Sequence, residues 1–355
     1  MSGRVWVLGV DSGGSGLRVA LGAVGETGGV RAVDSVAFAE PVRTGERGID
    51  AGHLLERLVP AAEELLTRAG VAGRPASGGA APLAAVAVGA AGMATLGDDL
   101  RATLPAALRS SLGVHRLALA ADAVTAYAGA LGQRPGAVVA AGTGMIALGT
   151  DLAVWRRADG WGHLLGDCGS GAWIGRAGLE AALRAYDGRR GGSAALLARV
   201  EALFGDPAGL PARLYPRPDR AAVLASFAPE VARCGAEGDP VAAGILAGAA
   251  RHIAEAAAAV CPPVADRMDR TGHPDDTDHE GHEDHVEVAF TGGLFAMGDA
   301  LLVPLRAELA EQLPYARTVS AGGDPLAGAL TVAAALATDT LRLPREPGML
   351  DTTSR

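Results

Sequence analysis

The sequence predicts an α/β protein built as two lobes, on three observations. Apolar strand patterns alternate with helical ones from the first residues onward, two strand-turn-strand units with small-residue turns occur about 130 residues apart, and 355 residues at 49% hydrophobic content exceed one average domain. The second strand-turn-strand unit echoes the first, as in a duplicated architecture with a cleft between lobes.

The elements follow in order. "VWVLGV" and "LRVALGAV" flank "DSGGSG"; the spacing of Leu17, Val19, Leu21 and Val24 is that of a second strand, so the glycine-rich segment reads as a hairpin turn. A helix over "AGHLLERLVPAAEELLTRAG", the strand "AAVAVGAAG" and a helix over "LRATLPAALRSSL" complete a first lobe over residues 1–115. The second lobe, residues 116–355, opens with "HRLALA" as strand and "AVTAYAGAL" as helix, then "GAVVAAGTGMIALGT" as the second hairpin. From Trp173 to about Cys261 the pattern is helical in "GLEAALRAYDG", "SAALLARVEALFG", "RAAVLASFAPEVARCGAEGD" and "PVAAGILAGAARHIAEAAAAV". "VEVAFTGG" is a further strand. Between these, "DRTGHPDDTDHEGHEDH" holds His273, His279, His282 and His285; their alternation with acids fits a solvated loop better than a metal site.

Composition removes several function classes. The chain contains no lysine, which excludes P-loop nucleotide sites, protein kinases and Schiff-base chemistry. A net charge of −9 and a pI near 5.4 argue against nucleic acid and anionic membranes as partners. No run of about eighteen uncharged apolar residues is present, and Cys168, Cys234 and Cys261 are too few and too scattered for a disulfide framework. A cytoplasmic protein is expected.

Five segments carry chemistry. "DSGG" suits a hairpin corner or a phosphate cradle of bare N–H groups. Asp122, between a strand and a helix, suits an N-cap or a carboxylate at the end of a sheet where α/β folds place ligands. "GTGM" sets the Thr143 hydroxyl beside exposed backbone donors. "GWGHLLGDCGSGAWIG" has six glycines, two tryptophans and one carboxylate, Asp167, ahead of a helix, as though backbone packs against another element or a ligand. "AFTGGLF" ends in Gly292 and Gly293, where the chain could admit a flat ring.

These segments, in this order and over nearly the whole chain, resemble the BadF/BadG-type ATPases and, within them, the N-acetylglucosamine kinases of the actin-like and hexokinase-like superfamily. The resemblance implies a two-lobed ribonuclease H-like (actin-like ATPase) fold with a helical region in the C-terminal lobe. It implies ATP and Mg²⁺ as cofactors, with Asp11, Gly13, Gly14 and Ser15 at the first phosphate loop and Asp11 orienting the metal. It implies Asp122 as the base that takes the proton of a sugar 6-hydroxyl, and Gly142, Thr143 and Gly144 as the second phosphate loop. Nucleotide contacts are further implied at Gly235 in the helical segment and at Gly292, Gly293 and Met297. Sugar contacts are implied at Gly160, Trp161, Gly162, Asp167, Met145 and Thr44. The expected partner is a small-molecule sugar, and the expected assembly a homodimer.

Three departures from the family pattern fall on the sugar side. Cys168 stands where relatives carry glutamate in "GDEGS", Met145 replaces the serine of "GTGS", and "EPVRTGERGIDAG" offers Arg43, Thr44 and Arg47 where relatives place an asparagine. A rival class, the ATPase activators of dehydratases, needs paired cysteines for an iron-sulfur cluster, a pattern that the three cysteines do not form. A sugar-sensing regulator would carry a helix-turn-helix and a basic face, and neither is evident.

Overall fold

The computed structural model describes residues 5–14, 16–45, 48–71, 81–263 and 285–354. The strands are β1 (Val5–Gly13), β2 (Gly16–Val24), β3 (Val30–Phe38), β4 (Thr44–Gly45), β5 (Gly48–Ile49), β6 (Ala85–Ala90), β7 (Arg116–Ala121), β8 (Gly136–Ala141), β9 (Met145–Thr150), β10 (Trp155–Asp159), β11 (Val286–Thr291), β12 (Ala316–Ser320) and β13 (Leu350–Ser354). The helices are α1 (Ala51–Arg68), α2 (Met93–Leu96), α3 (Asp98–Leu112), α4 (Asp122–Leu131), α5 (Gly171–Tyr186), α6 (Ala194–Phe204), α7 (Leu210–Leu214), α8 (Arg220–Ser226), α9 (Ala228–Ala236), α10 (Pro240–Val260), α11 (Asp299–Gln312) and α12 (Pro325–Ala337). Both β-hairpins read from the sequence are present, β1–β2 and β8–β9, and the mixed α/β class holds.

The chain forms two compact units. One runs to Pro135 and adds residues 150–155 and those from Ser320 onward; the other comprises residues 136–149 and 156–319. The sequence division at 115/116 runs elsewhere, because β7 pairs in parallel with β6, Val86 opposite Leu117 through Ala90 opposite Ala121, and so joins the first unit's sheet.

Among the described residues that sheet has six strands in the order β13-β7-β6-β1-β2-β3. β1 and β6 run parallel, and β6 is buried along its whole length, which is why "AVAVGA" lacks the alternation of a half-exposed strand. α12 packs across β1 and β6 and against α4. Its start is an aspartate followed by proline: Asp324 accepts the N–H of Ala327 at 2.9 Å, and Pro325 gives up a donor that a first helical turn leaves unpaired anyway. α10 begins in the same way with Asp239 and Pro240.

Among the described residues the second unit has a five-stranded sheet, in the order β10-β9-β8-β11-β12, and α5 to α11. α10 buries Leu246, Ala249, Ala250, Ile253, Ala257 and Val260, spaced at the helical period, in the unit's core. "RAAVLASFAPEVARCGAEGD" reads as one helical stretch but forms two helices, α8 and α9, parted at Phe227. Pro229 sits in the first turn of the second, and having no N–H to bond back to Ala225 it cannot continue the ladder of the first. Among the described residues, no helix is long and apolar enough to cross a membrane.

Candidate functional site

In the first unit, β1 and β2 close into a hairpin with Gly13 opposite Gly16. Ser15 lies outside the described residues. The hairpin register sets Asp11 opposite Arg18, and the Asp11 carboxylate accepts Arg18 Nε at 3.0 Å and a terminal guanidinium nitrogen at 2.6 Å. The other terminal nitrogen of Arg18 bonds the Asp324 carboxylate. One guanidinium therefore ties the edge of the first glycine turn to the N-cap of α12. The sequence reading names neither Arg18 nor Asp324 as a site residue. Arg18 was accessible to it, since counting outward from a turn at residues 14 and 15 pairs 13 with 16, 12 with 17 and 11 with 18.

Burial pushes the Asp324 carboxyl up, but the N–H of Ala327 and the Arg18 guanidinium outweigh it, and the carboxyl titrates below the ordinary aspartate value. A carboxyl depressed in the fold adds stability above its unfolded value, and that stability is lost as pH falls through the folded one. Asp324→Asn should therefore reduce the loss of stability on acidification below about pH 4. Urea unfolding at pH 5 and pH 3 measures it; an acid step unchanged by the substitution refutes the assignment.

Asp122 begins α4 directly after β7. Its Oδ1 accepts the N–H of Ala123 at 2.9 Å, while its carbonyl accepts the Thr125 hydroxyl at 2.9 Å. The register places it relative to the first turn: Ser12 is opposite Ala90, and Ala90 is opposite Ala121. Asp122 and the glycine turn thus leave the same end of the parallel strands, two strand spacings or about 10 Å apart. Thr44 is exposed in the short β4, opposite Ile49.

In the second unit, the turn between β8 and β9 is Gly142-Thr143-Gly144. Gly142 N–H donates to the Gly144 carbonyl at 2.8 Å, and the carbonyls of Gly142 and Thr143 accept the N–H groups of Gly171 and Ala172 at 2.8 and 3.0 Å. The first turn of α5 thereby spends donors on the glycine turn and fixes its position. Ser170 caps the same helix through Trp173 N–H at 3.2 Å.

Asp167, 8% exposed, knits this turn to the loop after β10. Its carboxylate accepts the N–H of Gly162 at 3.0 Å and that of Met145, and a Cβ on Gly144 would lie 2.7 Å from its Oδ2. Burial raises its carboxyl above the ordinary value, opposed by the Gly162 N–H and reinforced by Asp159. The Asp159 carboxylate accepts the N–H of Asp167 at 2.5 Å and that of Cys168 at 2.9 Å. The sequence reading does not single out Asp159; its only local signal is the Asp-Gly dipeptide, which marks a turn but not a partner. Trp161 is 66% exposed with the Arg157 guanidinium 4.5 Å from its ring centroid, and Arg157 also donates to the carbonyls of Asp159 and Gly160. The Met145 side chain is 2% exposed and belongs to the unit's core, so what it turns toward Asp167 is its backbone N–H.

Gly292 has φ +105°, and a Cβ there would strike the backbone of Ala141, the residue before the second glycine turn. β11 and β8 run parallel, with Thr291 opposite Ala140, which sets Gly292 and Gly142 at one end of this sheet. A Cβ on Gly293 would meet nothing within 4 Å, and Met297 is partly buried against the core. Gly235 sits in α9, where a Cβ would come 2.9 Å from Cδ1 of Leu246 in α10, the movable end of that side chain. Cys234 and Cys261 are buried thiols and Cys168 is half-buried, all three unpaired; burial raises each thiol above its ordinary value. His273, His279 and His282 lie outside the described residues, while His285 Nδ1 is 3.4 Å from the Tyr315 carbonyl. Among the described residues no group of three or more His, Cys, Asp or Glu could hold a metal ion.

The structure thus gathers Asp11, Gly13, Gly14 and Asp122 at one sheet end in the first unit. In the second it gathers Gly142, Thr143, Gly144, Gly162, Asp167 and Gly292. The profile of the BadF/BadG/BcrA/BcrD ATPase family matches residues 8–333. An N-acetylmuramic acid/N-acetylglucosamine kinase of Clostridium acetobutylicum is 35% identical over 106 residues, 30% of this chain; the match spans about a third of that relative's length, 34%. A solved structure from Chromobacterium violaceum, provisionally named an N-acetylglucosamine kinase, matches over 92% of this chain and 98% of its own, with 26% identity and a TM-score of 0.60. One from Porphyromonas gingivalis with the same provisional name covers 94% and 99%, at 17% identity and a TM-score of 0.61, a likeness of fold.

Proposed function

Because the chain belongs to the BadF/BadG/BcrA/BcrD ATPase family, we propose that it is an ATP-dependent sugar kinase that phosphorylates the 6-hydroxyl of an amino sugar, with N-acetylglucosamine as acceptor. The observation that carries this is the placement of Asp122 at the same end of the parallel strands as the first glycine turn. A carboxylate about 10 Å from a phosphate-holding turn has room for a hydroxyl and a transferring phosphoryl group between them. The names of the C. acetobutylicum and C. violaceum relatives support the acceptor class.

In this reading Asp122 accepts the sugar hydroxyl's proton as the oxygen attacks the γ-phosphorus, and positioning counts for as much as basicity. The bare N–H groups of Gly13 and Gly14, with the Ser15 hydroxyl, hold the outer phosphates. Thr143, between Gly142 and Gly144, steadies the nucleotide from the second turn, and Gly292, Gly293 and Met297 bound the adenosine. Asp167 and the backbone of Gly160 to Gly162 hold sugar hydroxyls. A single carboxylate, Asp11, partly engaged by Arg18, fits Mg²⁺, which takes one or two carboxylates beside phosphate oxygens and water. When bound, the metal offsets the charge of the phosphoryl group in transfer. The reading carries with it a cytoplasmic homodimer, which sedimentation equilibrium would check.

The test is ADP release from Mg-ATP with N-acetylglucosamine, N-acetylmuramic acid, glucosamine, N-acetylmannosamine, glucose and no sugar, with the product's mass determined. Release that depends on N-acetylglucosamine supports the reading; release indifferent to sugar sinks it in favour of a plain ATPase. Within it, Cys168→Glu should change the ratio of kcat/KM between acceptors by about tenfold, the scale of one gained or lost polar contact, while KM for ATP stays within about twofold. An unchanged acceptor ratio would make Cys168 a bystander.

A further inference from the structure

Two aspartates, one ending β10 and one in the loop after it, have left-handed backbones, Asp159 at φ +61° and Asp167 at φ +54°. L residues other than glycine adopt that conformation at a cost, and asparagine and aspartate do so most readily because a short side chain can bond nearby backbone. Here the bonds are visible. Asp159 ends β10, and both its oxygens turn onto the chain eight and nine residues later, one on Asp167 N–H at 2.5 Å and one on Cys168 N–H at 2.9 Å. Between them the loop turns back on itself through Leu165 and Gly166, whose N–H groups reach the Gly162 carbonyl at 3.1 and 2.8 Å. At the far end of the clamp the Asp167 carboxylate is aimed at Gly162 N–H and at the turn that holds Gly144 and Met145.

We infer that Asp159 is a positioning residue for sugar binding: its carboxylate grips the N–H groups of Asp167 and Cys168 and thereby sets the Asp167 carboxylate between the loop of Gly160 to Gly162 and the second glycine turn. Asp159 need not touch the sugar. Both N–H groups point at one carboxylate, so no neutral side chain of that size satisfies the pair, since an amide offers one acceptor and turns a donor on the other N–H. The inference rests on the kinase reading for its consequence, though not for the clamp itself.

Asp159→Gly keeps the left-handed backbone available and removes the acceptors, so it separates the clamp from backbone strain. Amide hydrogen exchange of the ligand-free protein reads the clamp directly: at Asp167 and Cys168 it should rise at least about tenfold, which corresponds to about 1.4 kcal/mol of lost protection. In steady-state kinetics KM for the acceptor sugar should rise about tenfold, with kcat within about threefold and KM for ATP within about twofold. Asp159→Asn should fall between Asp159→Gly and the parent in both measurements. Unchanged exchange at the two amides overturns the clamp. Raised exchange with an unchanged sugar KM overturns its bearing on the sugar. Should the parent enzyme release ADP without regard to sugar, the kinase reading fails, and exchange still decides whether Asp159 holds Asp167.

Discussion

Asp122→Ala should lower kcat by about two to four orders of magnitude, the range that removal of a general base produces, while ATP still binds with near-parental affinity. The side chain stands at the start of α4, beyond the buried end of β7, and a carboxylate there invites the plainer explanation of a helix cap. The observed bond is to the next residue, Ala123, and Ala121 precedes the helix as its capping position. Asp122→Asn separates the two roles. Asparagine caps about as well as aspartate, so an Asn variant with parental turnover would mean that capping is the whole role of Asp122. As a base it fails, since an amide accepts no proton at neutral pH, and Asn should then lose as much turnover as Ala. Calorimetric titration with ATP and steady-state turnover with saturating sugar give the two numbers. A turnover within about tenfold of the parent in both variants removes Asp122 from the chemistry.

Gly328→Ala should destabilise the first unit by about 3 kcal/mol, the upper end of what overpacking costs. A Cβ at Gly328 would fall on the carbonyl oxygen of Thr125 and crowd the backbone N of Gly129, and one at Gly129 would fall on the carbonyl of Asp324. These are main-chain atoms, so no rotamer change relieves the overlap, and α12 would have to move away from α4. Moving α12 also disturbs Asp324 and its bond to Arg18. For a unit of this size the transition should drop by about 6–12 °C in scanning calorimetry. Gly244→Ala, in α10 where a Cβ meets nothing within 4 Å, serves as the control and should not lower it. If Gly328→Ala melts with the parent, the close approach of the two helices is not what the glycine provides.

Much of the fold was legible because it is written in local patterns. The two hairpins follow from apolar runs broken by Gly, Ser and Thr, and α1, α3, α5 and α10 from helical spacing, while their caps Asp50, Ser170 and Asp239 come from the structure. β13 was not legible. "LDTTS" has one fully buried apolar residue, and it is a strand because β7 has an edge to pair, Leu350 opposite Ala120 and Ser354 opposite Arg116, more than 200 positions away. β3 and β12 lack a buried apolar face for the same reason: they lie at the edges of their sheets.

The site divides along the same line. Composition and short motifs alone established the two glycine turns, the carboxylate at the end of β7, the glycine-rich loop with Asp167, and the exclusion of lysine chemistry, because each depends on residue type within a few positions. Only the tertiary structure decided which groups those residues meet. That Met145 spends its side chain on the core, that Gly235 faces Leu246, that Arg18 joins Asp11 to Asp324, and that Asp159 holds the backbone of Asp167 are matters of distance between segments. A hydrogen bond or a buried contact forms only where folding brings its partners within a few ångströms, and neither composition nor periodicity records that approach.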